Sequence, residues 1–127
     1  MVQWTKNING AFNGNDAAND LAIDASANVY ITGYQTIANG NTDIYSTKLD
    51  NSTGNIIWEK FEESDLLDEG TNLVLDNNDV VVAGSREVTE EILSMHLQVC
   101  AKDVITPTDL MERHPIILVY TIPIEGN

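Results

Sequence analysis

The residues Trp4-Thr5-Lys6 return as Trp58-Glu59-Lys60, 54 positions along the chain. Asp20-Leu21-Ala22-Ile23-Asp24 returns as Asn72-Leu73-Val74-Leu75-Asp76 at an offset of 52. Val29-Tyr30-Ile31-Thr32-Gly33 returns as Val80-Val81-Val82-Ala83-Gly84 at 51. Asp43-Ile44-Tyr45-Ser46-Thr47-Lys48-Leu49 matches Glu91-Ile92-Leu93-Ser94-Met95-His96-Leu97 at 48. A period of this length limits the fold sharply, because each repeat is a supersecondary unit that buries its apolar face only against a neighbour. The offset shrinks across stretches of Gly, Asn, Asp and Ser, where a loop can lose residues and a paired strand cannot.

Within each copy the short apolar runs alternate and are separated by turn residues. Leu21-Ala22-Ile23, the turn Asp24 to Asn28 and Val29 to Thr32 read as one hairpin. Asp43 to Leu49, the turn Asp50 to Asn55 and Ile56 to Phe61 read as a second. Four short antiparallel strands per period of about fifty residues is the pattern of a β-propeller blade. The expected fold is therefore all-β, with about two four-stranded blades over residues 1–97. Two blades cannot close a ring. The chain is thus expected to be a fragment of a larger propeller, or a piece that assembles with copies of itself.

Two stretches carry a family resemblance. NGNDAANDLAIDASANVYITGY followed by DIYSTKLDNSTGNIIWEK resembles the bacterial SBBP β-propeller repeat. KLDNSTGNIIW is also similar to the tryptophan-docking motif of PQQ-type propeller repeats. The resemblance spans Trp4 to Leu97. It implies that Trp58 buries its ring between neighbouring sheets with its indole N–H on a backbone carbonyl, and that Trp4 does the same. Gly54 would take a strained turn position at low cost, while Asp50 and Thr53 bond their own turn. The resemblance further implies an exported or cell-surface parent protein. It points to a non-catalytic structural or ligand-binding module whose partners are other blades, copies of itself, or a protein or glycan ligand. The alternative it raises is a piece of a PQQ-dependent quinoprotein enzyme, which would need a full ring, an Arg and aromatic set for the quinone, and calcium.

Charge narrows the partners. Six Lys and Arg stand against 20 Asp and Glu, a formal charge of −14. Phosphate recognition needs clustered cations, so nucleic acid and anionic lipid are excluded as expected partners. The longest apolar run, Ile116 to Tyr120, is far too short to span a bilayer. The first ten residues show neither a basic nor an apolar leader segment, so no signal peptide is expected. One cysteine, Cys100, permits no internal disulfide.

Candidate chemistry is sparse. Asn15, Asp16 and Asp20 offer hard oxygen ligands for calcium, but with fewer carboxylates than a calcium loop uses. A solvated loop whose Asn and Asp side chains bond their own backbone explains the same residues, so no cofactor is expected. The loop Asp50 to Asn55 lacks the terminal Glu of a calcium loop. Glu62 to Gly70 holds five carboxylates. It reads as a solvated loop and not as an acid/base pair at fixed separation. His96 takes the place of Lys48, a position expected to face solvent, and His114 precedes Pro115. Neither has a partner in the sequence for metal or proton-transfer work. No catalytic residue is assigned. Binding is expected on the loops Asn13 to Asn19 and Ile37 to Thr42.

After Leu97 the pattern stops. All three prolines lie beyond it, and no Trp follows at the spacing that separates Leu49 from Trp58. Residues 98–127 form a divergent tail with one strand, about Ile116 to Ile122, and a helical turn near Thr108 to Arg113. The tail either pairs with a blade as its last strand or is foreign to the fold.

Overall fold

The computed structural model describes residues 3–63, 66–91 and 111–126. It is all-β. The strands are β1 (Asp16–Ile23), β2 (Val29–Thr36), β3 (Thr42–Leu49), β4 (Ile56–Glu62), β5 (Asp68–Asp76), β6 (Asp79–Glu91) and β7 (Met111–Pro123). A 3-10 turn, Ala38–Gly40, lies between β2 and β3. Two antiparallel sheets result, in the order β1-β2-β3-β4 and β5-β6-β7. Among the described residues no helix is long and apolar enough to cross a membrane.

The sheets repeat each other in detail. The β1/β2 register slips at Ala18/Asp20, and the β5/β6 register slips at Gly70/Asn72. Opposite each slip stands a glycine, Gly33 or Gly84. A Cβ at Gly33 would overlap the carbonyl oxygen of Ala17, and one at Gly84 that of Glu69. The bulged strand comes so close to its partner that only hydrogen fits.

Alternation places the core between the sheets. Tyr30 and Ile44 from the first sheet meet Leu73, Val80, Val82 and Ile122 from the second, all buried. Ala22, Trp58, Leu75 and Tyr120 pack around them. Each large apolar side chain removed from water here contributes roughly 1.5–3 kcal/mol.

Several expectations need correction. The second sheet has three strands among the described residues. Its third strand is β7, which pairs with β6 over its whole length, from Asp79↔Pro123 to Glu91↔Met111. The sheet therefore draws on residues beyond position 97. Val29 pairs with Leu49, and its counterpart Val80 pairs with Ile122, so β7 occupies the place of β3. Of the segment expected there, Glu91 ends β6, and Ile92 to Leu97 lie outside the described residues, as does Cys100. Met111 to Arg113 are extended, not helical; Thr108 to Leu110 are outside the described residues.

Lys48 does not face solvent. It is 7% exposed, with its Nζ 5.3 Å from the centroid of the Tyr30 ring. The ring face attracts the ammonium, which lets the lysine stem cover apolar surface. Its counterpart in the earlier match, His96, is outside the described residues.

Three buried or half-buried tyrosines resist ionisation. Burial first, and then the neighbouring Asp24 carboxylate, raise the pKa of Tyr30 well above its ordinary 10. Burial and the hydrogen bond to Glu59 do the same for Tyr45, and burial pushes Tyr120 up to about 12. The unfolded chain therefore releases these protons first, and high pH favours unfolding. The melting temperature is expected to stay flat between about pH 7 and pH 9 and to fall above about pH 10. Absorbance at the tyrosinate band should rise together with the loss of circular dichroism. Ionisation of all four tyrosines in a chain that stays folded would contradict the burial.

Candidate functional site

Two kinds of site emerge from the fold, a pair of tryptophan-docking turns and a polar cleft.

The first turn follows β3. The Asp50 Oδ1 accepts the backbone N–H of Ser52 at 2.9 Å and of Thr53 at 3.1 Å, together with both hydroxyls. These bonds, the Ser52 N–H foremost, hold the carboxyl below the ordinary carboxylate range. Gly54 sits at φ 76°, where a side chain is strained. The Trp4 ring lies on Gly54 so closely that a Cβ there would overlap it. The Trp4 indole N–H donates to the Asn51 carbonyl at 2.9 Å.

The second turn follows β7 and is one residue shorter, the Gly126 N–H donating to the Pro123 carbonyl at 2.7 Å where the Gly54 N–H donates to that of Asp50 at 3.0 Å. Gly126 sits at φ 82°, under the Trp58 ring. The Trp58 indole N–H donates to the Ile124 carbonyl at 3.0 Å. Trp58 also meets Tyr30, with centroids 6.3 Å apart at 59°, a tilt that suits the ring quadrupoles. Trp58 belongs to the first sheet and its docking turn to the second, so this contact clamps the two sheets together. Sequence reasoning named Trp4, Trp58, Gly54 and Asp50 but missed Gly126. The overlooked signal was Gly126-Asn127, which repeats Gly54-Asn55.

The Asn and Asp stretch before β2 is not a loop over its whole length. Asp16, Asn19 and Asp20 lie in β1, because their side chains serve backbone groups elsewhere. Asp16 accepts the N–H of Gly10 at 2.7 Å and of Thr36 at 3.0 Å. Asp20 accepts the N–H of Leu73 at 2.8 Å, from the other sheet. Asn19 donates to Gly70 O at 2.7 Å and to Glu69 Oε1 at 2.9 Å. The Asn15 carbonyl accepts from the Thr36 hydroxyl. The two carboxylates are aimed at different amides and share no common point. Among the described residues no group of three or more His, Cys, Asp or Glu is placed to hold a metal ion.

The carboxylate run after β4 is also more than a solvated loop. Asp68 opens β5 and is fully buried. Arg86 of β6 reaches it through Nε at 3.2 Å and Nη2 at 3.1 Å. The same Nη2 reaches Glu62 at 3.5 Å and the Glu63 carbonyl at 3.2 Å. The bond to Asp68 is the main reason that Arg86 holds its proton more tightly than usual.

Above this ion pair lies the cleft, about 370 Å³ in volume. Asn15, Tyr34, Thr36, Thr42, Glu69 and Ser85 line it, with Gly40, Leu67 and Asp68. Thr42 ties the two sheets beneath it, its hydroxyl donating to Asp68 O at 2.7 Å. The fold thus brings together both loops expected to bind and adds residues of β5 and β6. An aromatic ring beside hydroxyl and amide groups can stack on a flat ligand face and exchange hydrogen bonds at its rim. Comparison with protein-family models, with curated proteins and with solved structures finds no match to this chain.

Proposed function

We propose that the chain is a non-catalytic, propeller-type repeat module of an exported or cell-surface bacterial protein. Its sheets are locked by tryptophan docking, and its cleft takes a neutral polar ligand, a glycan or a segment of another protein. The observation that carries this reading is the repeated docking of a Trp indole on a glycine turn, Trp4 on Asn51 and Gly54, and Trp58 on Ile124 and Gly126. A module built for stacking needs that contact at each junction. The cleft supports the ligand-binding half, since Tyr34, Thr36, Thr42 and Ser85 offer ring and hydroxyl groups.

Titration of the isotope-labelled chain with panels of neutral oligosaccharides and of peptides tests the cleft. Amide shifts are expected at Tyr34, Thr36, Gly40, Thr42 and Ser85. Binding that moves other amides and leaves these still, or no shift with either panel, overturns the ligand-binding half.

A further inference from the structure

The register lets the two sheets be compared residue by residue. Val29 pairs with Leu49 and Val80 with Ile122. Ile44 and Ser46 of β3 therefore correspond to Ile117 and Val119 of β7, and Ala22 of β1 to Val74 of β5. In the first sheet this face is covered by the second, and Ile44 and Ser46 are fully buried. In the second sheet the counterparts are open to solvent, with Ile117 85% exposed and Val74 and Val119 each 61% exposed, while Val81 and Ala83 between them are half-buried. The opposite face mirrors this. Leu73 and Leu75 of the second sheet pack into the core, whereas their counterparts Leu21 and Ile23 are 58% and 61% exposed. On that face Tyr45, Thr47 and Leu49 of β3 are already buried, so the chain presents, at β1 on one outer face and at β5 and β7 on the other, part of the interface it already makes inside itself.

The edge strand adds an independent observation. The first sheet ends in β4, and the second ends in β7 with no fourth strand among the described residues. The sequence of β4 that pairs with β3, Trp58-Glu59-Lys60, is matched by Trp4-Thr5-Lys6. Residues 3–9 belong to no strand of either sheet. Trp4 nonetheless occupies the docking turn of the first sheet, as Trp58 of β4 occupies that of the second. Residues 3–9 therefore sit where the last strand of a preceding sheet would sit.

The geometry points to a second copy of this chain as the occupant, joined head to tail. Residues 3–9 of one copy add as an antiparallel fourth strand to β7 of the next. The pairs Lys48↔Trp58 and Ser46↔Lys60 set the register, with Trp4 opposite Thr121 and Lys6 opposite Val119. The Leu21 and Ile23 face then covers Ile117, Val119 and Val74. An unpaired edge supplies backbone donors and acceptors for such strand addition. The contact joins unlike surfaces, so it propagates, and it closes into a ring if the rotation between sheets allows. The formal charge of −14 on each copy opposes association, so salt strengthens it by screening. This inference rests on the stacked-module reading above, and it names the partner of the outer faces.

The test uses the full chain with Cys100→Ser, carrying Lys6→Cys and Val119→Cys together. Directly opposed residues bring their Cβ atoms close enough for a disulfide. Mild oxidation is expected to give covalent dimers and higher oligomers on a non-reducing gel, and light scattering of the unmodified chain a mass above the monomer that grows with salt. Lys6→Cys with Thr121→Cys, out of register, should cross-link at least about tenfold less. Equal cross-linking in both registers overturns the pairing. So does a dimer formed by Val119→Cys alone, which would mean that two β7 edges meet each other. A folded monomer with no cross-link, whose near-ultraviolet tryptophan signal is intact, overturns the head-to-tail contact and leaves the internal docking standing. Loss of that tryptophan signal as well overturns the module reading itself.

Discussion

Arg86→Met is expected to remove about 3–5 kcal/mol of folding free energy, because it strips the cation from a buried carboxylate. Asp68 is fully buried, while the Arg86 side chain retains 19% of its exposure. The loss would be read as a lower urea midpoint at unchanged slope. The bond to Glu62 adds little, since that carboxylate is 42% exposed and well screened. Arg86→Lys should rescue only part of the loss, because an ammonium cannot present Nε and Nη2 to Asp68 in one plane. Removing both charges, Arg86→Met with Asp68→Leu, should recover most of it, since no buried charge is left uncompensated. A double variant as unstable as the single would show that Asp68 acts through its other contacts.

Trp58→Ala follows closely, with an expected loss of about 3–5 kcal/mol. The ring fills the space between Tyr30 and Gly126, and its N–H satisfies the Ile124 carbonyl. Trp58→Phe keeps an aromatic body and forfeits the hydrogen bond, a loss of about 1 kcal/mol. Thermal or urea unfolding of both variants separates packing from hydrogen bonding. A near-neutral Trp58→Ala would mean that the sheets hold together without the clamp.

The strands themselves were readable where local chemistry decided them. Turn residues at Asp50 to Asn55 and alternation on either side place β3 and β4 to within one residue. Local chemistry fails for β1. Asp16, Asn19 and Asp20 look like a loop, and they are tolerated in a strand because distant amides, such as that of Leu73, donate to the two carboxylates and the Asn19 amide donates to the Gly70 carbonyl. Nothing near Asp20 in the sequence announces that bond. The buried pairing of Asp68 with Arg86 escaped notice for the same reason, since 18 residues separate them. The docking turns were legible at Trp4, Gly54 and Trp58, where spacing and turn chemistry agree. Gly126 was hidden because the apparent third strand of the second copy, Glu91 to Leu97, satisfied the pattern too early. Half of the cleft, the loops around Asn15 and Gly40, could be named from turn composition. Leu67 to Glu69 and Ser85 could not, because only the stacking of one sheet on the other brings them there.

The two sheets solve the same pairing with very different lengths of connection. Thr36 and Thr42 are joined through residues 37–41, whereas Glu91 and Met111 are joined through residues 92–110. The ladder from Arg86↔Ile116 to Glu91↔Met111 runs on past the end of β5, so β6 and β7 stay paired to the last residue of each that the structure describes. The register of the sheet is held by Val80 against Ile122 and by the clamp at Gly126, both at the end of the ladder away from Glu91 and Met111.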